Sequence, residues 1–222
     1  TDTRNANEIF IPTAANTGIL SQVANFEAAG GKIRRKDITI VWGGANNYLF
    51  DPAADPSVVV GDLVLAIEQL AGLGAQSFVV PNQPNLGDTP LGTFVLSPPE
   101  RALLNVLVRM HNRQLAAAMA ELREDLGLRI VLLDINSAVQ AILRNPEASG
   151  FFNVTVPCLI QNLDGSRTVT GVCPSDGEGS FDATGTFFWD LIHPTTAVHA
   201  LIAIFAQVAL AAEEPALMAE AM

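Results

Sequence analysis

The chain has 222 residues, 49% of them hydrophobic and 16% charged, which suits one sizeable globular domain with its own core better than two small ones. Twelve Lys and Arg stand against 23 Asp and Glu, and a net charge of −11 is a poor footprint for a phosphate backbone, so nucleic acid is not expected as a partner. No membrane span is expected either, because the most apolar stretch, 197–212, is interrupted by His199 and Gln207.

Residues 1–16 are polar and irregular. The first helix is expected over 17–29, where Ile19, Leu20, Val23 and Phe26 make an apolar stripe that Gly30-Gly31 stops. Asp37 to Trp42 is β-branched, apolar and ends in Gly43-Gly44, the pattern of a buried strand in a parallel sheet. The turn that follows, Ala45-Asn46-Asn47-Tyr48, lies beyond a strand's carboxyl end, where open α/β sheets bind ligands. A helix over 57–71, a second buried strand over 76–80 and the polar loop 81–87 come next. Ser97-Pro98-Pro99-Glu100 is a capping box that opens a long helix to about Leu126. His111 falls on that helix's buried stripe and reads as a hydrogen-bonded core histidine.

Arg129 to Asp134 is a third strand, and a short helix over 137–144 stops at Asn145-Pro146. Alternating helices and strands predict an α/β fold with parallel βαβ units. Residues 149–186 are loop-rich and hold Cys158 and Cys173. These are either two free thiols or a disulfide; the bridge is favoured because the spacing fits no metal site, and it implies an oxidising compartment. Asn153-Val154-Thr155 formally matches a glycosylation acceptor. The last helix is expected from Pro194 to about Ala212, with a frayed tail after it.

Just before that helix, Phe187-Phe188-Trp189-Asp190-Leu191-Ile192-His193-Pro194 sets an acid and an imidazole three residues apart in an apolar run. An aspartate that accepts the Nδ1 proton of a histidine leaves Nε2 free to take a proton from a nucleophile. The same residues also suit a purely structural cap. Asn46, at a strand end, offers a neutral amide of the kind that stabilises an oxyanion.

Together these blocks resemble the SGNH/GDSL hydrolases. Gly44-Ala45-Asn46-Asn47 is similar to the family's G-x-N-D block and Asp190-Leu191-Ile192-His193-Pro194 to its D-x-x-H-P block. The flanking phrases around Trp42, Val80-Pro81-Asn82 and Pro194-Thr195-Thr196 resemble the secreted bacterial esterase and lipase branch. The resemblance implies a three-layer α/β/α flavodoxin-like fold with a parallel sheet, spanning 1–222 as one domain. It also implies an ester hydrolase acting on a small-molecule or lipid ester without metal or cofactor, in a secreted or periplasmic setting. By the same resemblance His193 is general base and acid, Asp190 its orienting partner, and Asn46 with Gly44 the oxyanion hole. Asn82 and Trp189 are assigned to substrate binding. Asn47 departs from the family's aspartate.

The family's nucleophilic serine, in a G-D-S block near the N-terminus, has no counterpart here. Gly61-Asp62-Leu63 lacks a serine, and Asp164-Gly165-Ser166 has no strand before it. The resemblance places Thr1 just beyond a glycine block. The expectation is therefore a chain truncated at its N-terminus, lacking the first, central strand and the serine, and inactive as it stands. An α/β interaction module or pseudoenzyme of the same fold is the alternative. Loss of the central strand would leave 38–42 with one neighbour too few, which favours aggregation.

Overall fold

The computed structural model describes Thr3, residues 17–161, 167–176 and 180–220. The expectations for the other residues before 17, and for Asp164-Gly165-Ser166, lie outside the described residues. The chain is α/β, and its Cα framework divides into two compact units, residues 1–83 with 103–134, and residues 84–102 with 135–222.

The first unit carries helices α1 (Ile19–Ala28), α2 (Ala45–Phe50) and α3 (Pro56–Gly72), most of the long α4 (Pro98–Leu126), and strands β1 (Ile38–Ile40), β2 (Ser77–Pro81) and β3 (Arg129–Leu133). Local chemistry accounts for the helix ends. Asp55 caps α3 by accepting the Ser57 N–H at 2.8 Å, with Pro56 in the first helical position. At the head of α4, Ser97 N–H and Oγ–H both donate to the Glu100 carboxylate, at 2.8 and 2.6 Å.

The three strands are parallel in the order β1-β2-β3, with Ile38 opposite Ser77 and Ser77 opposite Arg129. β2 is central, and Phe78 and Val80 pack with Ile130 of β3 against Val23 of α1, Leu63 and Ile67 of α3, and Leu115 and Met119 of α4. The reading of β1 as a buried strand needs correction, because Ile38 is 50% and Ile40 66% exposed. Among the described residues β1 is paired on one side only, and Ile38 and Ile40, two residues apart, share a face of the sheet left uncovered at this edge.

The second unit holds α5 (Ile135–Arg144), the antiparallel hairpin β4 (Leu159–Gln161) and β5 (Arg167–Val169), and α6 (Thr196–Glu220). Its core is Phe151, Phe187, Phe188 and Val198, packed by Val139 and Ile142 of α5 and by Leu201 and Ile202 of α6. A 3₁₀ turn (Leu86–Asp88) and a π-helical turn (Leu91–Val95) shape the segment before α4. α6 continues past the expected end at Ala212 to Glu220, with Pro215 inside the added stretch, so helix propensity does not account for the extension. Its first 18 residues, Thr196–Glu213, have the length and apolar composition of a membrane-spanning helix, despite His199 and Gln207.

Candidate functional site

In the second unit the acid–imidazole pair sits at the tip of a tight turn. Buried Phe187 and Phe188 fix the incoming strand, and the chain doubles back so that Thr195 N–H donates to Phe187 O at 2.8 Å and Trp189 N–H to His193 O at 2.8 Å. Residues 190–192 close the tip. Asp190 Oδ1 accepts the backbone N–H groups of Ile192 (2.8 Å) and His193 (2.7 Å), an Asx-type closure that the D-x-x-H spacing allows. The same carboxylate meets His193 Nδ1 at 2.8 Å through Oδ2 and 3.0 Å through Oδ1.

Asp190 therefore caps its turn and orients the imidazole at once, a geometry compatible with both the structural and the chemical reading of this pair. A carboxylate only accepts, so Nδ1 carries the proton and Nε2 keeps its lone pair. The His193 side chain is 69% exposed, which leaves Nε2 open to a reacting hydroxyl. Burial pushes the Asp190 carboxyl up, but hydrogen bonds from the His193 ring, His193 N–H and Ile192 N–H outweigh it and hold the group below its ordinary range. The bond to Asp190 raises His193 above an ordinary histidine, against the opposing effect of burial.

Two further contacts brace this turn. Leu191 O accepts the Leu91 N–H of the π-helical turn at 2.8 Å. That segment is itself tied down by Asp88, which accepts from Gln140 at 2.7 Å and from Arg101 at 3.2 Å. Cys158 and Cys173 are bonded as a disulfide and fully buried. Trp189 turns its ring edge-on to Phe181 with centroids 5.6 Å apart, within the small apolar cluster around that disulfide.

The first unit builds the other half of the candidate set. Gly44 ends the strand segment with φ +108° and heads α2, a left-handed conformation that disfavours any residue with a Cβ. A Cβ there would stand 3.0 Å from both His111 Cε1 and Val59 Cγ1. Asn46 is half-buried in the first turn of α2, where a turn was expected, and its side-chain amide takes no partner among the described residues.

Beneath it, Tyr48 Oη and His111 Nδ1 lie 2.8 Å apart and both rings are buried. His111 is thus the core histidine that the helical stripe predicts. Burial lowers it to about 4 and pushes the Tyr48 phenol up, while His111 Nε2 is buried and has no hydrogen-bond partner among the described residues. Asn82 Nδ2 donates to Asp134 Oδ1 at 2.8 Å. Asn47 grips Thr3, accepting its N–H at 3.0 Å and donating to its Oγ1 at 3.2 Å, and Thr3 Oγ1 donates to buried Asp62 at 2.8 Å.

Sequence reasoning missed a clamp. Asn112 of α4 accepts the Gln83 N–H and donates to Gln83 O, both at 2.8 Å, while the buried Gln83 side chain donates to Gly43 O. The strand end that leads into Gly44 and Asn46 is thereby hung from α4 through two amide side chains. Nothing periodic in the sequence marks that connection.

Known proteins are similar to this chain along most of its length. The sequence model of a family described as GDSL-like Lipase/Acylhydrolase matches residues 2–205. A GDSL esterase/lipase of Arabidopsis thaliana is 29% identical over 209 residues, covering 83% of this chain and 54% of that protein. The thermolabile hemolysin of Vibrio parahaemolyticus is 26% identical over 166 residues, covering 72% of this chain and 38% of that protein. The chain thus spans about half the length, or less, of these curated relatives. A solved member of the lipolytic protein G-D-S-L family from Veillonella parvula is 16% identical, covers 85% of this chain and 72% of its own, and superposes with a TM-score of 0.45.

Proposed function

The chain belongs to the GDSL-like lipase/acylhydrolase family, and on that premise we propose that it supplies the base, its orienting acid and an oxyanion donor for the hydrolysis of a carboxylic ester. In this reading His193 Nε2 takes the proton of a nucleophilic hydroxyl as its oxygen adds to the ester carbonyl. The Asn46 amide N–H, beside Gly44, receives the charge that develops on the carbonyl oxygen. His193 then returns the proton to the departing alcohol, and water, deprotonated by the same nitrogen, releases the acid and restores the hydroxyl. Asp190 keeps the imidazole in the Nδ1–H tautomer throughout.

The observation that carries this reading is the Asp190 carboxylate 2.8 Å from His193 Nδ1 with the imidazole otherwise exposed. A substrate with an apolar acyl part, in a secreted or periplasmic setting, agrees with the family's name and with the disulfide. Asn82 and Trp189 stay the proposed substrate contacts.

The hydroxyl has no assigned residue here, since the sequence holds no G-D-S block. That lack favours a second reading, a non-catalytic module that kept the fold. Hydrolysis of p-nitrophenyl butyrate, measured on the 222-residue chain and on the product of the complete reading frame, separates the two. The chain alone is expected to be inactive. A frame product with a G-D-S serine is expected to turn over, and to lose roughly 10⁶ of its rate on His193→Ala. A frame product without that serine and without turnover favours the module, and His193-dependent turnover by the chain alone would mean that it holds its own nucleophile.

A further inference from the structure

The disulfide-bonded hairpin reaches the acid–base turn by two separate arms. The first is backbone. Cys158 N–H donates to Phe188 O at 3.1 Å and Leu159 N–H to Trp189 O at 2.9 Å. The head of β4 thereby forms the outer rung of a small ladder whose middle strand is 187–189 and whose far strand is 193–195. The second arm is side-chain. From Cys173 the chain runs to Ser175, which bridges Phe181, and Phe181 packs edge-on to Trp189. Both arms end on Trp189, the residue before Asp190.

The α6 side of this ladder is anchored by the helix itself, through Thr195 N–H to Phe187 O and Thr195 Oγ1 to Thr186 O at 2.7 Å. Among the described residues the hairpin side rests on a smaller support, the cluster of Cys158, Leu159 and Cys173 with Val172, Phe181 and Ala183. β4 and β5 are three residues each, β5 is exposed along its length, and a hairpin of that size is marginal alone. Its ends are joined by the Cys158–Cys173 bond and by Thr170, whose N–H donates to Cys158 O at 3.0 Å and whose hydroxyl donates to Pro157 O at 2.6 Å. A reacting group must be held to about 0.5 Å, so a loose rung beside residue 189 would be felt at 190 and 193.

We propose that Cys158, Cys173 and Phe181 are positioning residues for the Asp190–His193 pair, with Trp189 as the common seat on which both arms bear. The disulfide then serves the geometry of the imidazole and not only the stability of the loop. This rests on the reading of His193 as a base, but its test needs no turnover, so the two can fail separately.

The experiment is nitrogen-15 NMR of the three histidines, with His193 assigned through His193→Ala. Above its titration, His193 in the unaltered chain is expected as the Nδ1–H tautomer. In Cys158→Ser/Cys173→Ser it is expected to revert toward the Nε2–H form that free imidazole prefers, with its titration midpoint falling toward the ordinary 6.5, while far-UV circular dichroism stays native. A double variant that melts earlier but keeps the Nδ1–H tautomer and the raised midpoint overturns the proposal, because a merely stabilising bridge does that. Should the double variant not fold, Phe181→Leu decides in the same way, with the disulfide intact. A native tautomer in that variant refutes the proposal, and a reverted one, with Phe181→Tyr remaining native, sustains it.

Discussion

The buried His111–Tyr48 pair makes the stability of this chain depend on pH in a way that can be worked out. His111 is fully buried and burial depresses it to about 4, against 6.5 for an exposed histidine. A folded-state value below the unfolded one means that the unfolded chain takes up a proton first as the pH falls. The contribution is therefore complete above 6.5, declines as pH drops from 6.5 toward 4, and levels off where the folded ring protonates as well. At about 1.4 kcal/mol for each pH unit, the loss between pH 7 and pH 5 comes to about 2 kcal/mol. The control is His111→Phe/Tyr48→Phe, which keeps the ring volumes and removes both polar partners, a change that is close to neutral when neither is left unpaired. Urea unfolding followed by the fluorescence of Trp42 and Trp189, at pH 7 and pH 5, gives the two differences. Carboxylates and the other histidines titrate alike in both proteins and cancel. Equal losses in the unaltered chain and the double variant would refute the burial of a neutral imidazole at this position.

Asp190→Asn is expected to return the His193 midpoint to the ordinary range. In any active form it is also expected to cut turnover by roughly 10⁴, through the wrong tautomer. Because the Asp190 bond raises His193, the acid limb of that turnover should lie above 6.5, and a pH–rate profile on a p-nitrophenyl ester checks it. Asn112→Ala leaves the Gln83 backbone without its clamp and should destabilise the chain by about 1–3 kcal/mol in urea unfolding, whereas Arg113→Ala, at the next and exposed position of the same helix, serves as the comparison. Ile40→Lys places a charge on β1, an edge strand among the described residues, and should raise the concentration at which the chain remains monomeric by light scattering; no change would mean that this edge is not what associates.

Short-range chemistry made most of the fold legible. The Ser97–Glu100 box, Pro56 after Asp55, and the apolar spacing along α4 each act within a few residues, and the helices begin within a residue or two of where those signals stand. Exposure was not legible in the same way. β1 has the composition of a core strand, but burial depends on how many neighbours a strand has, and composition carries no record of that. The β4–β5 hairpin escaped notice because three-residue strands show no period and are held by a covalent bond. Of the candidate site, Asp190 and His193 were readable since their partnership spans a single turn. The hold of Asn112 and Gln83 on Gly43 spans sequence separations of 29 and 40, where only folding reveals a contact.

Asn47, Thr3 and Asp62 form a short hydrogen-bonded chain beside Asn46. It is a directional relay: the amide donates to the threonine hydroxyl, and the hydroxyl spends its single proton on the carboxylate. An aspartate at 47 would present a second acceptor to a hydroxyl with nothing left to give, and a second negative charge beside a buried one. Asn47→Asp, made alone, is therefore expected to set two carboxylates on one hydroxyl proton and to unfold at lower urea than the unaltered chain.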